Sequence, residues 1–209
     1  MITTLLVRTW EILPCEGYAT AWAELTGRRL TARGRAVGLV PEPYWVTYEL
    51  DTGDDFVTSR LRVTADLGGR TRSLDLRNEA GRWSVGGTHR PDLDGALDCD
   101  LGLCPLTNTM PVLRHDLHRR PGSGPHDFLM AWVSVPDLTV SADRQTYTPL
   151  PRDLRGPRDA HDPHDPHDAR AGRRGARVRF SSGDFRSDIE FDERGMVLDY
   201  PELAIALNR

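Results

Sequence analysis

Between Leu97 and Leu117 the chain reads L-D-C-D-L-G-L-C-P-L-T-N-T-M-P-V-L-R-H-D-L, its densest run of groups that need specific partners. Asp98 and Asp100 stand two apart, so on an extended strand both carboxylates face one side. Such a pair does acid–base work when burial raises one of the two pKa values. The competing reading pairs them with Arg60, Arg62 or Arg114. Cys99 and Cys104, in a C-x4-C spacing, lack the second pair or the His pattern that would complete a zinc site, and read as core thiols. Asn108, between Thr107 and Thr109, can bond its own backbone and tolerates a left-handed conformation. The same three residues also offer donors and acceptors to a polar ligand head.

Elsewhere the chemistry thins out. The run H-D-P-H-D-P-H-D supplies His161, His164 and His167 with interleaved Asp, but proline at every third position keeps the chain extended, and three imidazoles do not easily converge on one ion. No nucleophile elbow, phosphate-cradling glycine loop, dinucleotide fingerprint or H-E-x-x-H is present. The sequence therefore assigns no catalytic residue, no cofactor and no metal.

The elements that must position these groups are strands. Period-two alternation recurs while helical spacing is almost absent. Ile2 to Leu13 reads as a first strand, and Tyr18 to Leu25 with Leu30 to Val40 as a hairpin turning at Thr26-Gly27. In Tyr44 to Leu50, the side chains of Tyr44, Val46, Tyr48 and Leu50 share one face, and Trp45, Thr47 and Glu49 the other. Phe56 to Asp66, Arg70 to Arg77 and Trp83 to Val85 continue as a meander joined by tight turns. A strand is expected from Met110 to Leu117. Phe128 to Val135, apolar on both faces, suits a central strand covered on both sides, and Leu138 to Tyr147 continues after it. Residues 149–175 have almost no apolar content and read as a disordered insertion. Strands resume at Arg177, and Pro201 could open a short helix through Leu207. The turns N-E-A-G (Asn78 to Gly81) and D-E-R-G (Asp192 to Gly195) hint at two similar halves.

Composition bounds the rest. The 209 residues can bury one good core. All 27 basic residues are Arg, the net charge is −4, and no basic stripe stands out, which argues against nucleic acid as the partner. No apolar run approaches membrane-spanning length and no signal peptide is visible, so cytoplasmic residence is the expectation. Three cysteines, Cys15, Cys99 and Cys104, fit free thiols.

Several segments match a known family in order along the chain. They are W-E at Trp10-Glu11, Y-E-L-D from Tyr48, G-R-W from Gly81, L-D-C-D-L from Leu97 and P-L-T-N-T-M-P from Pro105. V-P-D-L-T-V from Val135, R-Q-T-Y from Arg144 and G-M-V-L-D-Y-P from Gly195 follow. On these residues the chain resembles the glycolipid-binding family, small bacterial proteins once grouped as a domain of unknown function. The resemblance implies a strongly bent antiparallel sheet, similar to the half-barrel of bacterial lipoprotein carriers, with a cavity on its concave side. Cys104 stands where that family usually has Thr or Ser, and Leu113 where it has a second Arg.

The expectation is one mainly-β domain over residues 1–209, a half-barrel or open barrel with little helix. It would bind an amphiphilic small molecule such as a glycolipid on the concave face, without chemistry. Tyr48, Arg60, Trp83, Asp98, Asp100, Asn108, Arg114, Gln145 and Tyr147 are the expected ligand-binding residues. Two alternatives stand beside it: a hydrolase or lyase acting on a lipid or sugar through Asp98 and Asp100, and an adaptor using an exposed sheet edge. The sequence leaves oligomeric state open.

Overall fold

The structure is a computed structural model that describes residues 2–151 and 175–208. The expected disordered insertion falls largely on residues 152–174, outside the described residues.

Alternating sequences give alternating burial and hence strands. The first run comprises β1 (Thr3–Ile12), β2 (Gly17–Thr26), β3 (Arg29–Gly38), β4 (Tyr44–Thr52), β5 (Thr58–Leu67), β6 (Arg70–Glu79), β7 (Arg82–Val85) and β8 (Thr88–His89). The second comprises β9 (Asp98–Leu101), β10 (His126–Val133), β11 (Val140–Pro149), β12 (Ala176–Ser182), β13 (Phe185–Phe191), β14 (Val197–Tyr200) and β15 (Ala204–Ala206). All fifteen form one sheet in the order β8-β7-β6-β5-β4-β3-β2-β1-β15-β14-β13-β12-β11-β10-β9. Every pairing is antiparallel except β9 with β10. The expected curved, open, mainly antiparallel sheet is therefore what the chain forms. Its β9 edge approaches the start of β5, where Thr58 donates its N–H to the Leu97 carbonyl at 2.9 Å and accepts the Cys99 N–H on its hydroxyl at 3.1 Å.

The concave side is packed. On β4, Tyr44, Val46, Tyr48 and Leu50 are buried while Trp45 stays outside, as the alternation predicts. Two glycines of β3, one of them its last residue, make room for this face. Gly34 lies opposite Tyr48 and Gly38 opposite Tyr44. A Cβ at Gly34 would come within 2.2 Å of the Tyr48 ring, and one at Gly38 within 2.4 Å of the Tyr44 ring. Each ring lies across the strand where a side chain would otherwise stand.

Two local expectations are corrected. Met110 to Leu117 is not a strand. Pro105–Asn108 is a 3-10 turn, and Thr109–Arg114 is the one α-helix among the described residues, α1. The cause is topological: β9 and β10 run parallel, and a parallel pair needs a crossover that leaves the sheet. Pro111 sits in the first turn of α1, where its missing N–H costs nothing. Residues Pro105 to Leu113 are all buried, so the crossover fills the concavity as a plug. Nor does Pro201 open a helix. Glu202 takes a left-handed φ of 67°, and the chain turns back into β15, which pairs with β14 and β1. The strand β10 is covered on both faces, with Met130, Ala131 and Val133 all buried. Yet it lies next to the sheet's edge strand rather than at its centre.

The Gly34–Tyr48 contact is testable. Gly34→Ala should lower the unfolding free energy by about 1–3 kcal/mol through overpacking. The double variant Gly34→Ala/Tyr48→Ala should be less destabilised than the two single losses added together. Urea unfolding of the three variants measures this, and strict additivity would refute the contact.

Candidate ligand site

Cross-strand partners point the same way, so register decides what shares a wall. Asp100, Trp132 and Ser141 are in register across β9, β10 and β11. Gln145, Ser182 and Phe185 are in register across β11, β12 and β13. These rows face a cavity of about 460 Å³, which Asp143 and Phe180 also line. Gly102 to Cys104 and Asn108 from the crossover close one side, and Tyr200 and Leu203 another. The walls thus combine carboxylates, amides and hydroxyls with four aromatic rings.

A directed hydrogen-bond chain runs beneath. Asn108 Nδ2 donates to the Tyr147 hydroxyl at 2.9 Å, and that hydroxyl donates to Gln145 Oε1 at 3.3 Å. Fixed in this orientation, Gln145 Nε2 donates to Asp100 at 2.7 Å and to Asp143 at 2.9 Å. Thr107 donates to the other Asp100 oxygen at 2.8 Å, and Ser182 donates to Asp143 at 2.8 Å. Asn108 has right-handed helical angles (φ −68°, ψ −15°) and makes no side-chain cap bond. Its expected backbone role gives way to this long-range one.

Asp98 has a different fate. Arg114 donates to both of its oxygens, at 2.7 and 2.5 Å, and the two side chains are 6% and 1% exposed. Burial, reinforced by neighbouring Asp143 and Asp98, holds the Asp100 carboxyl above the usual carboxylate range, against the pull of Gln145 and Thr107. Burial likewise raises Cys99 and takes Cys104 up to about 11, so neither is a thiolate nucleophile at neutral pH.

Of the nine residues expected from sequence, Asp100, Asn108 and Gln145 line the cavity. Tyr147 lies directly behind them, and Asp98 with Arg114 anchors the crossover. Tyr48 is buried with its phenol against Cys104. Trp83 is fully buried, its indole N–H donated to the Ala96 carbonyl at 2.9 Å. Arg60 is bound to Asp75 at 2.8 and 2.9 Å, in register with Asp51 and Arg77. These three are not brought to the cavity. Sequence reasoning missed Trp132, Asp143, Ser182 and Phe185. Asp143 was within reach, because it shares the period-two face of Gln145 and Tyr147.

A second concavity, about 840 Å³, lies over β2–β5 and is lined by Trp22, Arg33, Arg35, Glu49 and Arg62, among others. Among the described residues no group of three His, Cys, Asp or Glu side chains is placed to hold a metal ion, and no helix is long and apolar enough to cross a membrane. The His-Asp-Pro run lies outside the described residues.

Solved structures share the architecture. A DUF1089 family protein from Pseudomonas aeruginosa superposes with a TM-score of 0.65 at 23% identity, covering 88% of this chain and 90% of that one. A beta-barrel-like protein of domain of unknown function DUF1849 from Brucella abortus gives 0.51 at 11% identity, over 96% and 92%. Both likenesses establish the class, a barrel-like curved β-sheet protein. Residues 7–161 match the family model described as "Putative glycolipid-binding", and the chain belongs to that family. No curated protein matches it.

Because the fold binds the Asp100 proton more tightly than the unfolded chain does, this group stabilises the fold most at acid pH. Its contribution falls as pH rises through the raised pKa. An Asn there can still accept from Gln145 and donate to the Thr107 oxygen. Asp100→Asn should therefore lose less melting temperature than wild type between about pH 4 and pH 7. Parallel melting curves test this; an equal loss in both proteins would contradict it.

Proposed function

We propose that the protein binds an amphiphilic small molecule, such as a glycolipid, in the cavity between the second run of strands and the crossover, and holds it without chemistry. The observation that carries this reading is the pairing within one cavity of a polar floor with an aromatic and aliphatic wall. Asp100, Asp143, Gln145 and Ser182 suit the hydroxyls of a polar head. Trp132, Phe180, Phe185 and Leu203 suit a ring face or the start of an acyl chain. A volume of about 460 Å³ lies within the usual ligand-pocket range of roughly 300–1,000 Å³. The family membership supports the same class of ligand. Of the sequence-derived set, Asp100, Asn108 and Gln145 are proposed as direct contacts, Tyr147 as their support. The paired state of Asp98 weighs against the acid–base alternative, since its two oxygens are already engaged by Arg114.

Native mass spectrometry of gently purified protein should show a co-purifying amphiphile, and a glycolipid panel should raise the melting temperature. Trp132→Ala should weaken binding about tenfold through loss of its ring contact. Protein that repeatedly carries no lipid and shows no shift with any of the panel would refute the reading.

A further inference from the structure

We infer that this cavity prefers an amphiphile whose head carries a positive charge, an alkylammonium or a protonated amino sugar, over one with a neutral or anionic head. The inference rests on the amphiphile reading above and names the ligand's charge.

The first ground is charge balance. All 27 basic residues of the chain are arginines, and among the described residues no arginine or histidine lines the cavity. Several acids elsewhere have guanidinium partners: Asp98 is held by Arg114, Asp75 by Arg60 and Arg77, and Asp188 by Arg179; others at the surface, such as Asp66 and Asp127, are bonded by threonine hydroxyls. Among the described residues Asp100 and Asp143 receive only neutral donors, from Gln145, Thr107 and Ser182. Two carboxylates bridged by one amide therefore face the cavity with no cation among the described residues to balance them. Gathering like charges on one wall is unfavourable, and either a proton on Asp100 or a bound cation relieves it.

The second ground is the aromatic lining beside the acids. Phe180, Phe185 and Tyr200 form a cluster with ring centroids 6.0 Å (Phe180–Phe185), 5.9 Å (Phe180–Tyr200) and 6.3 Å (Phe185–Tyr200) apart, and Trp132 is in register with Asp100. Aromatic faces attract a weakly hydrated cation such as a substituted ammonium. An anionic head would meet Asp100 and Asp143 without a compensating donor charge. A neutral sugar head would find hydroxyl acceptors but gain nothing from the charge. The arrangement selects by attraction and by repulsion together.

Three probes with the same dodecyl chain separate head charge from chain burial: dodecyltrimethylammonium, dodecyl maltoside and dodecyl sulfate. Each is titrated calorimetrically into the full chain below its micelle concentration. The buffer holds about 0.15 M salt, which screens attraction to the protein's overall charge. The ammonium should bind at least about tenfold more tightly than either other probe, a difference of about 1.4 kcal/mol. Asp143→Asn and, separately, Asp100→Asn should remove most of that preference. Equal or tighter binding of the maltoside or the sulfate overturns the charge preference and leaves the amphiphile reading standing. Binding of none of the three overturns both. A preference that survives in both variants places its source outside the cavity and overturns the inference.

Discussion

The ion pair between Asp98 and Arg114 holds the rest of the site in place. An isolated charge at either position would be costly, because both side chains are almost fully withdrawn from water. Arg114 meets that requirement with a complete set of acceptors. Besides Asp98 it donates to the Asp55 carbonyl at 2.8 Å and the Phe56 carbonyl at 3.0 Å. The last turn of α1 is thereby tied both to β9 and to the loop before β5. With the helix fixed at that end, its other end presents Thr107 and Asn108 to Asp100 and Tyr147. The plug, the hydrogen-bond chain and one side of the cavity all follow from the same contact.

Two acids two residues apart thus do unlike things. Asp98 is a structural anchor and Asp100 faces a cavity, although both point to the same side of β9. What separates them is the element each meets: the C-terminal end of α1 for Asp98, the amide of Gln145 for Asp100. Gln145 is itself oriented by Tyr147 and Asn108, so its N–H groups have only the carboxylates to serve. Polar groups buried this way are stable when each has a partner, and the partners here lie on β9, the crossover, β11 and β12.

The fold class was legible because alternation in β2–β6 is regular, and the turn residues at Gly27 and at Gly68-Gly69 mark its hairpins. The crossover was not, because its residues satisfy two patterns at once. Val and Leu in Met110 to Leu117 fit a strand, whereas a proline in a first turn fits a helix start. Only the parallel pairing of β9 with β10 decides between them, and that is a long-range fact. Asp100, Asn108 and Gln145 could be singled out as polar groups in unusual company. Trp83 and Tyr48 could not be told from ligand contacts, since an aromatic ring on an inward face looks the same whether it packs against a ligand or against the plug. Arg60 was misplaced for a simpler reason. Its strand face was correctly read as the polar one, but that face lies on the other side of the sheet from the cavity.

The match to the family model ends at residue 161, while Phe180, Ser182, Phe185, Tyr200 and Leu203 complete the cavity from beyond it. The cavity is therefore built from two stretches of the chain, with Asp100, Asn108, Trp132, Asp143 and Gln145 inside the matched segment and the remaining rings outside it. Neither stretch encloses the space alone: it exists only once β12 has paired with β11 and β15 has closed onto β1.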